Sequence, residues 1–183
     1  MGCRTLVLVR HGEYSSKGLT RAGRVQAAHT ARRIAGLQVT TIHCSTMLRA
    51  LQTARIIGKG HPDLPLLRAN LLRECVPSLP PPLRRSSAVP TETIRRGKHQ
   101  ADRAYRRYFK RSNDGDTCVV LVCHGNLIRY LVCRALGLGK YAWCGLGSAH
   151  CGMTVMRIMA NGAVVLDSYN DTGHLPVRLR TMT

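Results

Sequence analysis

Apolar and polar positions along this chain alternate between two kinds of segment. Residues 4–9 end in the continuous apolar run Leu6-Val7-Leu8-Val9, the pattern of a parallel strand covered on both faces. Thr20 then stands as an N-cap for a helix reaching about Ala35 and closed by Gly36. Residues 39–44 are β-branched and predict a second strand, after which residues 47–57 take up helical spacing and stop at Gly58. Residues 64–72 predict a short strand and a loop. Residues 117–123 repeat the buried-strand pattern, and a helix follows from about Asn126 to Leu136, ended by Gly137. Finally, residues 153–158 and 164–167 flank Asn161-Gly162, a strong hairpin signal. Repeated strand–helix units with a terminal hairpin predict an α/β fold in one domain over residues 1–183. Its expected form is a three-layer α/β/α sandwich, mostly parallel, with an antiparallel edge.

Two stretches depart from this rhythm. Pro77, Pro80, Pro81, Pro82 and Pro90 are unsuited to a helix interior or a central strand, so the segment they occupy should be the least regular. From about residue 91 to 111, Ile94, Ala101, Ala104, Tyr105 and Tyr108 form one helical stripe opposite a face of Arg and Lys. This run draws attention to charge. The chain has 28 Lys and Arg against 9 Asp and Glu, a net +19, and 23 of the bases are Arg. Such a surface attracts anions but does not select a fold. Ten of the bases fall in residues 84–111 against Glu92 and Asp102, interleaved with Tyr105, Tyr108 and Phe109. The non-enzymatic reading is therefore a basic RNA- or anionic-lipid-binding module. The competing reading is a solvated helix face with its tyrosines packed inward.

No run of apolar residues is long enough to span a membrane. Residues 6–9 are also far too short for a signal peptide and end in Arg10 and His11. The eight cysteines include no C-x-x-C, and Cys118 and Cys123 lie in an apolar run. Buried free thiols in a reducing intracellular compartment, mitochondrial or cytoplasmic, are expected.

In a sheet of this kind ligands bind beyond the carboxyl ends of the strands. His11 follows the first strand within Arg10-His11-Gly12-Glu13, and His124 follows a later one within Cys123-His124-Gly125-Asn126. One histidine beside a strand end is ordinarily structural, whereas two in the same setting, each followed by glycine, point to a shared site. Gly125 lets backbone N–H groups approach a ligand, and the next helix turns its positive end toward the same place, which favours a phosphate. Arg10, and Arg49 from about one turn into the second helix, supply planar guanidinium groups that hold phosphate oxygens in pairs. Only three Glu exist, at positions 13, 74 and 92. Glu74 is the candidate general acid, because a carboxyl beside a phosphate dianion has its pKa raised toward proton donation. A pairing of Glu74 with Arg73 or another surface arginine is the alternative, and Glu13 is the second candidate acid. Two histidines and scattered cysteines show none of the tight spacings a zinc site needs.

Four blocks, in order and spacing, resemble the signatures of the histidine phosphatase superfamily, also called phosphoglycerate-mutase-like. They are Arg10-His11-Gly12-Glu13, residues 19–27, residues 45–53 and Val122-Cys123-His124-Gly125-Asn126. Leu71-Leu72-Arg73-Glu74, residues 128–136 and residues 170–176 are similar to one branch, the mitochondrial phosphoglycerate-mutase-like serine/threonine protein phosphatases. The resemblance implies that His11 attacks phosphorus and becomes phosphohistidine. It implies that Arg10, Arg49, His124 and Gly125 hold the phosphoryl oxygens, and that Glu74 gives and then takes a proton. No metal or organic cofactor is implied. Nearby arginine charge should hold His11 neutral for attack. That branch usually carries an N-terminal membrane segment and an oligomerising motif, and neither is expected here because the first strand begins by Arg4. A phosphoprotein or a small phosphomonoester is the expected substrate, with sugar phosphates and phosphoglycerate mutation as alternatives. A homodimer is the assembly left open, and nucleic acid is the weaker partner. True mutases of the family have a long segment after the Glu that closes over a sugar phosphate. Here Cys75 to Pro82 is short and proline-stiffened, which fits a site open to water and to phosphorylated side chains.

Overall fold

In the computed structural model, which describes residues 2–113 and 115–182, the apolar run of residues 6–9 lies in a central strand, β1 (Arg4–Arg10). On one side β1 pairs in parallel with β6 (Thr117–Cys123), register Arg4↔Thr117 to Arg10↔Cys123. Beyond β6 lie β4 (Thr41–Ser45) and β5 (Leu66–Ala69), both parallel. On the other side β7 (Met153–Ile158) runs antiparallel to β1 and turns at Asn161-Gly162 into β8 (Val164–Asp171). The sheet order is β5-β4-β6-β1-β7-β8. The antiparallel strand is thus β7, one in from the edge, and the edge strand β8 returns to the common direction. A two-strand ribbon, β2 (Tyr14–Ser15) and β3 (Gly18–Leu19), sits after β1 and was not legible as such.

Alternation along the central strands divides the core into two layers. Leu6, Leu8, Leu121 and Cys123 face α4 (Thr91–Tyr108) and α5 (Gly125–Ala135), meeting Ala101, Ala104, Leu127 and Leu131. Val7, Val9, Val120 and Val122 face α1 (Arg21–Ala35) and α2 (Leu48–Gly58), meeting Ile34, Ala50, Ala54 and Ile57. Each fully buried Leu or Val contributes roughly 1.5–3 kcal/mol relative to exposure, so doubly covered strands hold all three layers together. The Thr20 hydroxyl accepts the Gly23 N–H at 3.0 Å and caps α1, as its position predicts.

The proline-rich stretch is more regular than expected. Residues 81–86 form a short helix, α3 (Pro81–Ser86), with prolines in its first turn, where the missing N–H would have no intrahelical partner anyway. The stripe of α4 packs inward as the competing reading requires. Ala101, Ala104 and Tyr108 are buried, and Tyr105 stacks on Phe109 with ring centroids 4.8 Å apart. The aromatic residues that could have stacked on nucleic-acid bases are therefore committed to the core side of the helix.

Gly23 shows how closely α1 seats against the loop after β1: a Cβ there would lie 1.9 Å from the Glu13 carbonyl oxygen. Gly58, at the end of α2, has no such neighbour within 4 Å. Gly23→Ala should therefore cost about 1–3 kcal/mol in thermal or denaturant unfolding. Gly58→Ala should be neutral or stabilise by about 0.5–1 kcal/mol. Equal effects at the two positions would contradict this packing.

Candidate active site

Because Arg10 lies opposite Cys123, β1 and β6 end level, and the His11 N–H continues the ladder by donating to the Cys123 carbonyl at 3.0 Å. His11 and His124 therefore emerge side by side, ring centroids 5.1 Å apart, 1% and 0% exposed. Besides the other histidines, three groups touch the His11 ring. Its Nδ1 lies 2.9 Å from the Gly12 carbonyl, and its Nε2 lies 2.9 Å from the Arg49 Nε. A guanidinium nitrogen can only donate, so Nε2 accepts and the proton resides on Nδ1. The third contact is Tyr14, edge-on to His11 at 5.0 Å, with the Arg49 guanidinium 4.5 Å over its ring.

Arg49 is aimed by α2. One turn on, the Thr53 hydroxyl donates to the Arg49 carbonyl at 2.8 Å and accepts the Gly12 N–H at 3.0 Å, tying the helix to the loop that carries His11. The Gly12 N–H is thus spent on Thr53 rather than left for a ligand. Gly125 makes room in another way: a Cβ there would stand 3.5 Å from Arg10 Nε and 3.3 Å from Ser148 Oγ. Arg10, 8% exposed, donates to the Ser148 carbonyl. His124 is anchored by Ser45, the last residue of β4, whose hydroxyl lies 2.8 Å from His124 Nε2. The other ring nitrogen, Nδ1, is buried with no hydrogen-bond partner.

Glu74 joins this group from the loop after β5. Gln100 of α4 donates to the Arg73 carbonyl at 2.7 Å, and Gly97 lets α4 approach so closely that a Cβ would lie 2.6 Å from the Val76 carbonyl oxygen. Burial raises the Glu74 pKa, opposed by the Cys75 N–H at 3.2 Å and by the charges of Arg49 and Arg10. A raised carboxyl is what the acid role requires, although burial, not only a phosphate, raises it. Glu13 takes a different place: its carboxylate accepts the Thr20 hydroxyl at 2.8 Å beside the start of α1.

Sequence reasoning missed His150. It is 1% exposed, its ring lies 5.8 Å from His11, and its Nδ1 lies 2.8 Å from Thr181 Oγ1. The next residue, Cys151, has φ 54° and is held there by its N–H, which reaches the Arg10 and His11 carbonyls at 3.1 and 3.3 Å. A left-handed backbone at a non-glycine residue costs roughly 1–2 kcal/mol, so the loop is fixed by these bonds rather than by its own preference. No local pattern marks His150; only the long-range pairing of β7 with β1 brings it under the site.

Burial dominates the electrostatics. It drives the His11 pKa down to about 3, with Arg49, Arg10 and His150 adding to the shift and the Gly12 carbonyl opposing it. Arginine charge is thus the second cause, not the first. Burial likewise takes His124 to about 2, helped by His11, Arg49 and Arg10. His150 falls to about 4 through burial and Arg10. The result is a pocket of neutral imidazoles and permanent guanidinium charges beside the raised carboxyl of Glu74, suited to an incoming dianion.

The chain belongs to the histidine phosphatase superfamily (branch 1), whose family model matches residues 6–76 and 80–172. Over 193 residues it is 35% identical to the protein named "Serine/threonine-protein phosphatase Pgam5, mitochondrial" of Drosophila ananassae, covering 97% of this chain and 66% of that one. The Mus musculus protein of the same name is 34% identical over 186 residues, covering 94% and 64%. The chain thus spans just under two thirds of the length of these relatives. Among solved structures, the phosphoglycerate mutase of Plasmodium falciparum superposes with a TM-score of 0.70 at 32% identity, covering 100% of this chain and 99% of that one.

The three site histidines, His11, His124 and His150, give a signed pH dependence, and His43 and His174, also lowered by burial, act in the same direction. In the unfolded chain each would take a proton near pH 6.5, whereas in the fold the three site histidines stay neutral to about 3, 2 and 4. Protons therefore favour the unfolded state, and stability should fall as pH drops from about 6.5 toward 4. The limiting slope is about 1.4 kcal/mol per pH unit for each histidine. Glu74, with a raised pKa, opposes them as a single group. Melting temperatures followed from pH 7 to 4 should decline, and His150→Gln should shallow the decline. A flat profile would contradict the buried neutral imidazoles.

Proposed function

We propose that this chain hydrolyses phosphomonoesters through a phosphohistidine on His11 and acts on phosphorylated Ser and Thr side chains of proteins. One observation carries the chemistry: His11 is neutral, with its proton on Nδ1 against the Gly12 carbonyl and its Nε2 lone pair turned toward Arg49 and the cationic pocket. When a phosphate dianion enters, the Arg49 guanidinium turns its N–H groups from Nε2 to the phosphoryl oxygens, which frees the nucleophile at the moment of binding. Nε2 then forms a bond to phosphorus as the bond to the leaving oxygen breaks, and Glu74 protonates that oxygen. In the second step the Glu74 carboxylate takes a proton from water, the water oxygen bonds to phosphorus, and the P–N bond breaks. Arg10, His124 and the amino end of α5 at Gly125 stabilise the transferring oxygens, where positioning and electrostatics supply most of the catalysis.

The choice of a protein substrate rests on the names of the curated relatives and on the brief connection from Glu74 to α3, which leaves room for an extended chain. The same names support a mitochondrial setting for this chain. No helix among the described residues is long and apolar enough to cross a membrane. Likeness to the Plasmodium phosphoglycerate mutase supports a second reading, phosphoglycerate mutation, and a small-molecule phosphatase is a third.

Turnover of a phosphoserine peptide, p-nitrophenyl phosphate and 3-phosphoglycerate by the purified chain separates these. His11→Ala should abolish hydrolysis of the first two. Glu74→Gln should slow the peptide, with its poor leaving group, by about 100-fold or more and p-nitrophenyl phosphate far less. Equal loss on both would remove the acid role from Glu74, and efficient isomerisation of phosphoglycerate would replace the phosphatase reading with the mutase one.

A further inference from the structure

The basic run of residues 84–111 has no part in the chemistry above. Its carboxyl-terminal end borders a cavity of about 400 Å³ at the amino ends of β1, β4 and β6. β1 has seven residues, so this cavity and His11 lie about 20 Å apart at opposite ends of the sheet. Arg4, His43, Arg106, Arg107, Lys110 and Thr117 line it, and among the described residues no carboxylate does. Asp116, next in sequence to Thr117, is turned away and accepts the Cys3 N–H at 2.8 Å. Among the described residues, Arg4, Arg106, Arg107 and Lys110 make no ion pair, whereas Arg95, Arg96 and Lys98 earlier on α4 are each paired with Glu92 or Asp102.

Two further features mark this cavity as a place for a ligand rather than a solvated face. The Nε of Arg4 and the hydroxyl of Thr117 are buried without a hydrogen-bond partner, a costly condition for two polar groups in one small space. Burial, then the fields of Arg107 and Arg4, hold His43 below the usual histidine range. Tyr108 closes the inner wall at 3% exposure, its ring 5.2 Å from His43 and 5.8 Å from the Arg107 guanidinium. With that ring buried, the cavity offers no exposed platform on which a nucleobase could stack. On the far side Arg106 and Arg107 also border a second cavity, of about 500 Å³, with His99 and Arg103 and again no carboxylate among the described residues.

We propose that the cavity formed by Arg4, Arg106, Arg107 and Lys110 is a second anion site, which binds a compact group bearing two or more phosphates. Guanidinium groups pair with phosphate oxygens two at a time, and four cations spread around one rim exceed what a single phosphate can satisfy. The group can come from a soluble polyphosphate or from the headgroup of a phosphorylated lipid. The proposal does not rest on the catalytic reading, because no residue is shared between the two sites.

Inorganic tripolyphosphate titrated calorimetrically into the full chain at about 0.1 M salt tests it. Arg106, Arg107 and Lys110 are exposed, so charge reversal there should leave the melting curve and circular dichroism unchanged. Arg106→Glu/Lys110→Glu should weaken binding at least about tenfold, with Arg106→Gln/Lys110→Gln as a milder pair should the reversal disturb folding. Arg49→Ala, at the other end of the sheet, should leave this binding intact. The same variants on phosphatidylcholine vesicles doped with phosphatidylinositol bisphosphate then identify the source. Co-sedimentation that depends on Arg106 and Lys110 assigns a membrane-borne group, and binding of tripolyphosphate alone assigns a soluble one. Absence of binding to both probes, or binding lost with Arg49→Ala and kept in the Arg106/Lys110 variants, would overturn the proposal.

Discussion

With Arg10 opposite Cys123, the two innermost strands end level and deliver His11 and His124 to one spot. A slip of one residue in this register would turn Leu6 and Leu8 toward α1 and Val7 and Val9 toward α4, so both core layers would have to be repacked. The register is therefore held by the whole core, and the geometry of the histidines inherits that rigidity. Supporting hydrogen bonds extend it: Thr53 joins α2 to Gly12, Ser45 holds His124 from β4, and Cys151 secures the ends of Arg10 and His11 from the turn before β7.

Burying this much potential positive charge would be prohibitive if the histidines were protonated. The fold avoids that cost by desolvating His11, His124 and His150 until they remain neutral, and leaves the permanent charge on Arg10 and Arg49. Arg10 is compensated by the Ser148 carbonyl, and Arg49 by the His11 lone pair and the Tyr14 ring. Such partners satisfy a guanidinium without neutralising it, so the attraction for a dianion is kept. The scarcity of acids serves the same end, and burial raises the pKa of the one that joins the histidines, Glu74.

Much of this was legible in the sequence, for reasons that are local. Leu6-Val7-Leu8-Val9 and the run from Thr117 to Cys123 announce doubly covered strands by composition alone, and the histidine after each strand follows from chain direction. Thr20, Gly36 and the Asn161-Gly162 turn are signals that operate over a few residues. The missed features depend on distant partners. His150 reaches the site through β7, about 140 residues after His11. The α3 turn depends on prolines falling at its start rather than inside it. The partner of the Gly12 N–H, Thr53, lies 41 residues along the chain, where no local pattern reveals it. The primary cause of the His11 shift, burial, is a property of the packed molecule that charge counting along the chain cannot reveal.

The proposed chemistry turns on which nitrogen of which histidine carries the phosphoryl group. Rapid quenching into base during turnover, followed by peptide mapping and phosphorus NMR, reads both at once. The expected result is one phosphate per chain on His11 at Nε2, because the Nδ1 proton is held against the Gly12 carbonyl. Phosphate on Nδ1, on His124 or His150, or no phosphoenzyme under conditions of steady hydrolysis would contradict it.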